Sequence, residues 1–383
     1  MTMNRPIWTD EPWKPLPELT GVVSADVCVV GLGGSGLTAV EEASMLGATV
    51  VGVDAGPVGG RAAGSNGGFL LGGLADFFHR LVARIGLSNA ATIYRCTLEE
   101  IHRLALEFPH QVRTTGSLRI AATPEEVTDC HAHLAALQSA GFDALRYAGA
   151  EGEGLYLPMD AVYQPRRCVQ EHAVHLTERG VALHEDSPVV SLSPGRVVTR
   201  RGEVHCRTIV AAVDGGLEDL FPELRSRVRT ARLQMLATAP AREVYFPRPV
   251  HYRHGHEYWQ QLRTGEIALG GFRDLGGEGE WTNSGEPGGA VQQLLEDFLR
   301  THLRVTAPIT HRWAASVAYT ADRLPVLEEV RERIIATGAY SGTGNITGRL
   351  CGRAAARIAC QVRSGWADLL RQAHTFPHAP TLN

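Results

Sequence analysis

An α/β fold, α+β overall, is predicted by three features of the 383-residue sequence: a strand–turn–helix–strand run near its start, a glycine-dense segment directly after it, and a later alternation of short strands and helices. Val27 to Val30 form a short apolar run that reads as a buried strand, and GLGGSG follows as a tight turn. Leu37 to Leu46 carry a helical pattern ended by Gly47, and Ala48 to Val53 read as a second buried strand. Gly31 permits the turn, Gly33 lets backbone approach a diphosphate, and Gly36 allows close helix–strand packing, with the amides of Gly34 and Ser35 at the helix start facing the phosphates. Asp54 ends the second strand, about twenty residues downstream, where its carboxylate reaches ribose hydroxyls, with Ala55 beside it. These parts make a Rossmann-type βαβ unit that holds the ADP half of a dinucleotide.

That unit alone does not separate NAD from FAD, because both present the same ADP half. NAD enzymes of the common type continue directly into a second mononucleotide half, whereas here the chain runs into VGGRAAGSNGG and then helices. A flavin lies extended and requires further contacts along its ribityl chain and at its ring. Gly60, Arg61, Ala62, Ser65, Asn66, Gly67 and Gly68 supply the first set. Gly342, Thr343, Gly344, Asn345, Ile346 and Thr347 open the last helix and supply the second, since helix-start amides stabilise negative charge on a reduced ring. Val189 and Ala212 complete the expected contacts. The cofactor expected is FAD.

The Pro-rich tail to about Ser24, with no basic start or apolar core, does not read as a secretory signal; Trp8 or Trp13 is expected to tuck into a groove. Helices are expected over Asn89–Leu106 and from Pro124 to Gly141, short strands over 180–215, a strand at Arg333–Thr337 and a helix over Ile346–Val362. The expected FAD-binding domain is discontinuous (25–88, 150–225 and 325–383), and the substrate domain, an antiparallel sheet with helices, comprises 89–149 and 226–324. A hairpin with its turn at Thr264-Gly265 is expected to pair Gln261 with Ala268, Trp259 with Gly270 and Glu257 with Phe272 on one face, leaving Tyr258, Gln260, Leu269 and Arg273 on the other. His251, His254 and His256 form HxxHxH, but on an extended strand only two share a face and no fourth ligand is near, so no metal site is expected.

Composition narrows the chemistry. A formal net charge of −4 and 20% charged residues show neither a nucleic-acid footprint nor an acidic tail. Lys14 is the only lysine, so no Schiff-base or phosphate-loop lysine exists elsewhere. Seven scattered cysteines, odd in number and never in a CxxC pair, read as reduced, and no run of about twenty apolar residues suggests a membrane span. A cytoplasmic protein is expected.

DVCVVGLGGSGL, VVGVDAG, GGRAAGSNGG, TADRLPV and GAYSGTGN together resemble the D-amino-acid oxidase and glycine oxidase superfamily of FAD enzymes, nearest the amine-oxidising branch like gamma-glutamylputrescine oxidoreductase. Asp54 stands where the family usually has Glu, and Ala63 where its loop usually has Ser. The resemblance implies a nucleotide domain of the glutathione-reductase-like kind. It also implies hydride transfer from the carbon beside an amine nitrogen to flavin N5, giving an imine that hydrolyses, with electrons passed to oxygen or another acceptor. The position matching the oxygen-activating lysine of some relatives is Ala268. That matching the carboxylate-binding arginine of others is Val317, leaving Arg273, Arg323, Arg312 or Arg61 as substitutes. No cysteine lies between Cys206 and Cys351, so the flavin is expected to be non-covalent. Trp259 and Phe272 are expected as an aromatic cage for an amine, or simply as core, with Glu257 as counter-ion; Tyr258, Tyr319, Tyr340 and Arg273 are further substrate contacts. Three readings follow: an oxidase of a small-molecule amine or amino acid, a dehydrogenase of the same fold using a quinone or other carrier, and a non-catalytic flavin- or NAD-binding subunit.

Overall fold

A computed structural model describes residues 2–9 and 12–375; positions 10, 11 and 376–383, parts of the expected tail and last nucleotide-domain segment, lie outside the described residues. The chain divides into two compact units. One holds residues 12–64, Pro165–Thr230 and 317–375; the other holds residues 2–9, Ser65–Gln164 and Ala231–Ser316. The boundaries differ from those expected: residues 2–9 join the second unit, 226–230 and 317–324 join the first, and three further segments change place. Residues 65–88 belong to the second unit because Phe69–Leu70 pairs with Ala161–Tyr163 and the helix Phe78–Ile85 packs on the helices Leu87–Glu107 and Pro124–Ser139. Residues 150–164 join it through the strand Gly152–Leu157, paired with Ser117–Ile120. Residues 12–24 belong to the first unit: the strand expected from Val27 begins at Gly21, and buried Glu185 accepts hydrogen bonds from Trp13 Nε1 at 2.8 Å and Leu16 N at 2.7 Å.

In the first unit the strand order is Ala182–His184, Val50–Val53, Gly21–Val30, Gly202–Ala211, with all three pairings parallel. Gly202–Ala211 is long enough to serve two neighbours. Its first half pairs antiparallel with Arg196–Thr199, and Ile209–Ala211 pair parallel with Ile334–Ala336. The helix Gly34–Met45 covers one face together with Thr347–Ala359, whose Gly352 lies directly on the Ser35 carbonyl. The small residues Ala354, Ala355 and Ala356 of that second helix are buried. A further helix, Gly365–Thr375, follows it.

The second unit is built on a mixed sheet that runs, in order of pairing, Thr2–Met3, Ile309–Thr320, Val228–Thr238, Ile267–Gly270, Glu257–Gln261, Val250–Tyr252, Ser117–Ile120, Gly152–Leu157 and Leu145–Gly149. Helix Pro124–Ser139 starts where expected, with Thr123 as its N-cap. Thr123 Oγ1 accepts from Glu126 N, and Glu126 Oε2 accepts from Ala122 N at 2.7 Å.

The hairpin departs from its expected register. Leu262 N donates to Glu266 O and Gly265 N to Leu262 O, so the loop holds three residues, Arg263-Thr264-Gly265, instead of two. One added residue moves the pairing by one: Tyr258 faces Gly270, Trp259 faces Leu269 and Gln260 faces Ala268. Because side chains alternate, every cross-strand neighbour changes face. Trp259 and Leu269, with Leu118, Ile120, Val250 and Leu236 from neighbouring strands, line the face that packs on Val291, Leu295 and Leu299 of the helix Gly289–Thr301. Tyr258, Gln260, Ala268 and Gly270 share the opposite face, with Met235 and Ala237 across from them.

Candidate functional site

The nucleotide turn has the geometry its sequence implies. Gly31 takes φ +96° while its N–H bonds Val53 O at 2.8 Å, and a Cβ there would lie 2.6 Å from Ala212 O. At Gly36 a Cβ would lie 1.7 Å from Gly31 O, a separation no side chain tolerates. Helix Gly34–Met45 has no side-chain cap at Gly33, which leaves its first amides for an anion. Asp54 Oδ2 accepts from Leu32 N at 2.6 Å and Oδ1 from Gly56 N at 3.0 Å; burial raises its carboxyl from the ordinary value, and those two bonds counteract the rise. Val189 pairs with Thr199 at the edge of the same sheet.

The returning segment is held by an aspartate that sequence reasoning missed. Ala339 and Ser341 adopt left-handed φ of +53° and +51°, strained for residues with side chains, before Gly342 at +91°. Half-buried Asp214, just beyond the strand Gly202–Ala211, accepts the N–H groups of Tyr340, Ala339 and Ala318 and so fixes this turn. Its signal in the sequence is the VDGG end of a buried strand. The helix Thr347–Ala359 begins there, without a side-chain cap, and the buried Thr347 hydroxyl has no protein partner. The unpartnered hydroxyl fits a cofactor oxygen or ring nitrogen, whereas the amides of Ile346, Thr347 and Gly348 already donate to Thr343 O and Gly344 O. Thr343 Oγ1 donates to Tyr340 O, and Gly344 packs against the Tyr340 ring.

Burial pushes Asp214 up to about 7 from an ordinary 3.8, against the three backbone bonds that pull it down. The folded state therefore binds the proton more tightly than the unfolded state. The stabilising contribution is complete below pH 3.8 and is lost as pH rises through about 7. Asp214→Asn is expected to match the parent protein near pH 4 and exceed it in stability at pH 8, as read by denaturant unfolding at both pH values.

In the second unit the glycine loop is clamped through its carbonyls. Ser65 O accepts from Trp313 Nε1 at 2.7 Å, Asn66 O from Trp8 Nε1 at 2.8 Å, and Gly67 O from Gln260 Nε2. Asn66 Oδ1 accepts from Gly68 N, folding the loop on itself. Trp8 is thus the tail residue that finds a groove in this unit. Replacing Trp313 with Phe removes one donor from a buried carbonyl, and a loss of about 1–3 kcal/mol in unfolding free energy is expected by denaturant titration.

The chain matches the family described as "DAO: FAD dependent oxidoreductase" over residues 26–358. It belongs to that family. The protein is therefore an FAD-dependent oxidoreductase, and FAD is its cofactor. Among curated proteins the chain is 24% identical to "Probable oxidoreductase OrdL" of Rhizobium meliloti, covering 90% of this chain and 87% of that one. It is 23% identical to gamma-glutamylputrescine oxidoreductase of Escherichia coli, over 96% and 90% of the two chains. Among solved structures, L-amino acid deaminase from Proteus vulgaris superposes with TM-score 0.73 at 15% identity, covering 92% and 94%. Glycine oxidase from Geobacillus kaustophilus gives 0.72 at 17%, covering 90% and 96%. These two share the fold.

Several expected substrate contacts of this FAD-dependent oxidoreductase are placed otherwise by the structure. Trp259 is 1% exposed in the apolar core, 5.8 Å from the Phe298 ring, and Phe272 lies 5.5 Å from that same ring, so the two form core and not a cage. The three-residue hairpin loop is the cause. Glu257 is engaged by Arg253, whose guanidinium also bonds Asp274 at 2.6 Å, so it is not a free counter-ion. Arg273 stacks over Trp281 at 4.8 Å. Tyr340 is buried with its hydroxyl donating to Ser35 Oγ at 2.8 Å, a bond internal to the nucleotide unit. Arg312 is committed to Glu296 and Gln292, while Arg61 and Arg323 are exposed. His254 sits in a tight turn at φ +54°, so the three histidines are not on one extended strand; His254 approaches Glu126 and His256 approaches Asp274. Tyr319 is half-buried near Gly342.

Tyr258 is half-buried on the opposite face of the sheet from Trp259. Its ring lies over Gly270 and beside Gly67, edge-on to Phe69 at 5.7 Å. His251, its cross-strand partner, meets Phe69 at 4.9 Å. Phe69 was not singled out in the sequence, and His251 was read only as the first histidine of HxxHxH; the cross-strand register brings His251 to Tyr258. Ala268 lies on this same face and is fully buried beside Trp8, Met235, Ala237 and Trp313.

Proposed function

We propose that this protein oxidises the C–N bond of an amine or amino acid. FAD, when bound, supplies the hydride acceptor at N5, and the imine released is hydrolysed by water. Support comes from the near full-length match to an oxidoreductase named for gamma-glutamylputrescine, together with structural neighbours named for amino acids. The amides of Gly34 to Gly36 hold the diphosphate and Asp54 the adenosine ribose, while Ala55, Gly60 to Ala62, Ser65 to Gly68, Val189, Ala212 and Gly342 to Thr347 are the remaining cofactor contacts. Tyr258, with Tyr319, is the substrate contact retained from the sequence. Tyr258, Phe69 and His251 give an aromatic wall that orients a small substrate and excludes water. The flavin is held without a covalent bond, since the strand Ile309–Thr320 carries no cysteine. The cytoplasmic reading rests on seven cysteines that are all free.

A second reading, a dehydrogenase passing electrons to a quinone or other carrier, is favoured by Ala268. An oxygen-activating lysine has no place at a fully buried alanine packed against tryptophan. A panel of amines and amino acids, scored first by loss of flavin absorbance without air and then by peroxide release with air, tests both. Bleaching by at least one compound is expected. Bleaching with peroxide identifies the oxidase and bleaching without it the dehydrogenase, whereas an FAD-loaded protein bleached by no amine or amino acid would contradict the proposed reaction.

A further inference from the structure

The sheet-bearing unit contains a narrow recess, part of it open to solvent, on the sheet face that carries Tyr258. Arg119 and His251 are cross-strand partners and so project to that face side by side, with Ser117 two residues along from Arg119. Helix residues Tyr94 and His133 and the loop residues Asp76 and Asp160 complete its polar wall.

The hydrogen-bonding inventory of this wall is unbalanced. Asp160 is buried and already satisfied: Oδ1 accepts from Gly72 N at 2.8 Å and Oδ2 from Ser117 Oγ at 2.6 Å. His133 is 4% exposed, and its Nδ1 accepts from Phe78 N at 2.8 Å, which puts the ring proton on Nε2. Among the described residues nothing accepts from that Nε2–H, from the Tyr94 hydroxyl or from the Arg119 guanidinium. Arg119 rests with its guanidinium 4.7 Å from the centre of the Phe77 ring, without an ion pair. Burial, reinforced by Arg119, pushes His251 down to about 3 and His133 well below its usual range, so both rings are neutral at physiological pH. Asp76, the second carboxylate of the lining, accepts from Phe77 N at 2.8 Å and pairs with Arg80 at 3.3 Å, so both carboxylates are engaged while one arginine charge and two neutral donors face the space without an acceptor. Donors that line a recess without a protein acceptor are open to a ligand, and an acceptor of negative charge with two oxygens matches them.

We propose that this recess is a carboxylate subsite in which Arg119 takes the acidic end of the substrate, so that the substrate is an amino acid or another acid-bearing amine. Arg119 would then do the work that Val317 cannot. The substrate half of this inference rests on the proposed amine or amino-acid oxidation; the binding of a carboxylate does not.

Butyrate, butyramide and butylamine share one carbon skeleton and differ only in the group that Arg119 would meet. Saturation-transfer NMR titrations of the FAD-loaded protein are expected to rank butyrate tightest by about tenfold or more. Arg119→Leu is expected to bring butyrate to the level of butyramide, and Arg119→Lys to retain part of the preference because it keeps the charge and loses the fork. Butyramide or butylamine binding as well as butyrate, no butyrate binding, or unchanged butyrate binding in Arg119→Leu would each overturn the subsite. The wild-type ranking decides this even where the leucine variant does not fold. Any substrate found by flavin bleaching is expected to carry a carboxylate and to show a raised KM in Arg119→Leu; an efficient substrate without an acidic group overturns the substrate half. A carboxylate preference in a protein that oxidises no amine would sink the proposed reaction and leave the subsite standing.

Discussion

Gly36→Ala is expected to give a protein that retains no FAD and loses about 3 kcal/mol or more of folding free energy. The added methyl would lie 1.7 Å from Gly31 O, and the neighbouring backbone has no room to yield. Gly31 is anchored on one side by its own N–H to Val53 O, and Ala212, which closes on it from the next strand, is itself tied by N–H to Val30 O at 2.8 Å. Relief therefore requires the helix Gly34–Met45 to lift from the strands beneath it. That motion withdraws the first-turn amides from the place where a diphosphate binds. Flavin absorbance after purification and a denaturant titration read the two effects separately. Normal FAD content in a stable Gly36→Ala protein would refute the tight-turn geometry.

Trp259→Ala is expected to cost about 3–5 kcal/mol, because it opens a large cavity against Phe246, Phe298 and Leu295. Trp259→Phe separates the core role from a pocket role. The indole Nε1 has no partner, so no hydrogen bond is lost with it. The phenylalanine variant is expected to be only modestly destabilised and to keep the parent KM for any substrate. An altered KM with unchanged stability would return Trp259 to the substrate pocket.

The nucleotide unit was legible because its constraints are local. Gly31, Gly36 and Asp54 act within a continuous stretch of strand, turn and helix, so spacing alone carries the geometry. The helix starting at Pro124 was legible for the same reason and lies where its pattern put it. The substrate wall was not legible, because it depends on register. A single residue more in the loop at Arg263 to Gly265 turned Trp259 and Glu257 into the core and left Tyr258 with Gln260 on the other face. Arg119, His133 and Asp160 lie on three separate elements with no motif between them, and only strand pairing and helix packing bring them to one recess. Asp214 illustrates a third case: its position after a buried strand was visible, but its role in holding Ala339 and Tyr340 required the fold.

The central claim is that this chain holds FAD without a covalent bond, through the turn at Gly31 to Gly36 and the segment at Gly342 to Thr347. The most direct test is to purify the protein, record its visible spectrum, precipitate it with acid and determine where the flavin goes. The expected result is a yellow protein with about one FAD per chain, all of it released intact into the supernatant. A colourless protein that takes up no added FAD, or flavin that stays with the precipitate, would contradict that claim.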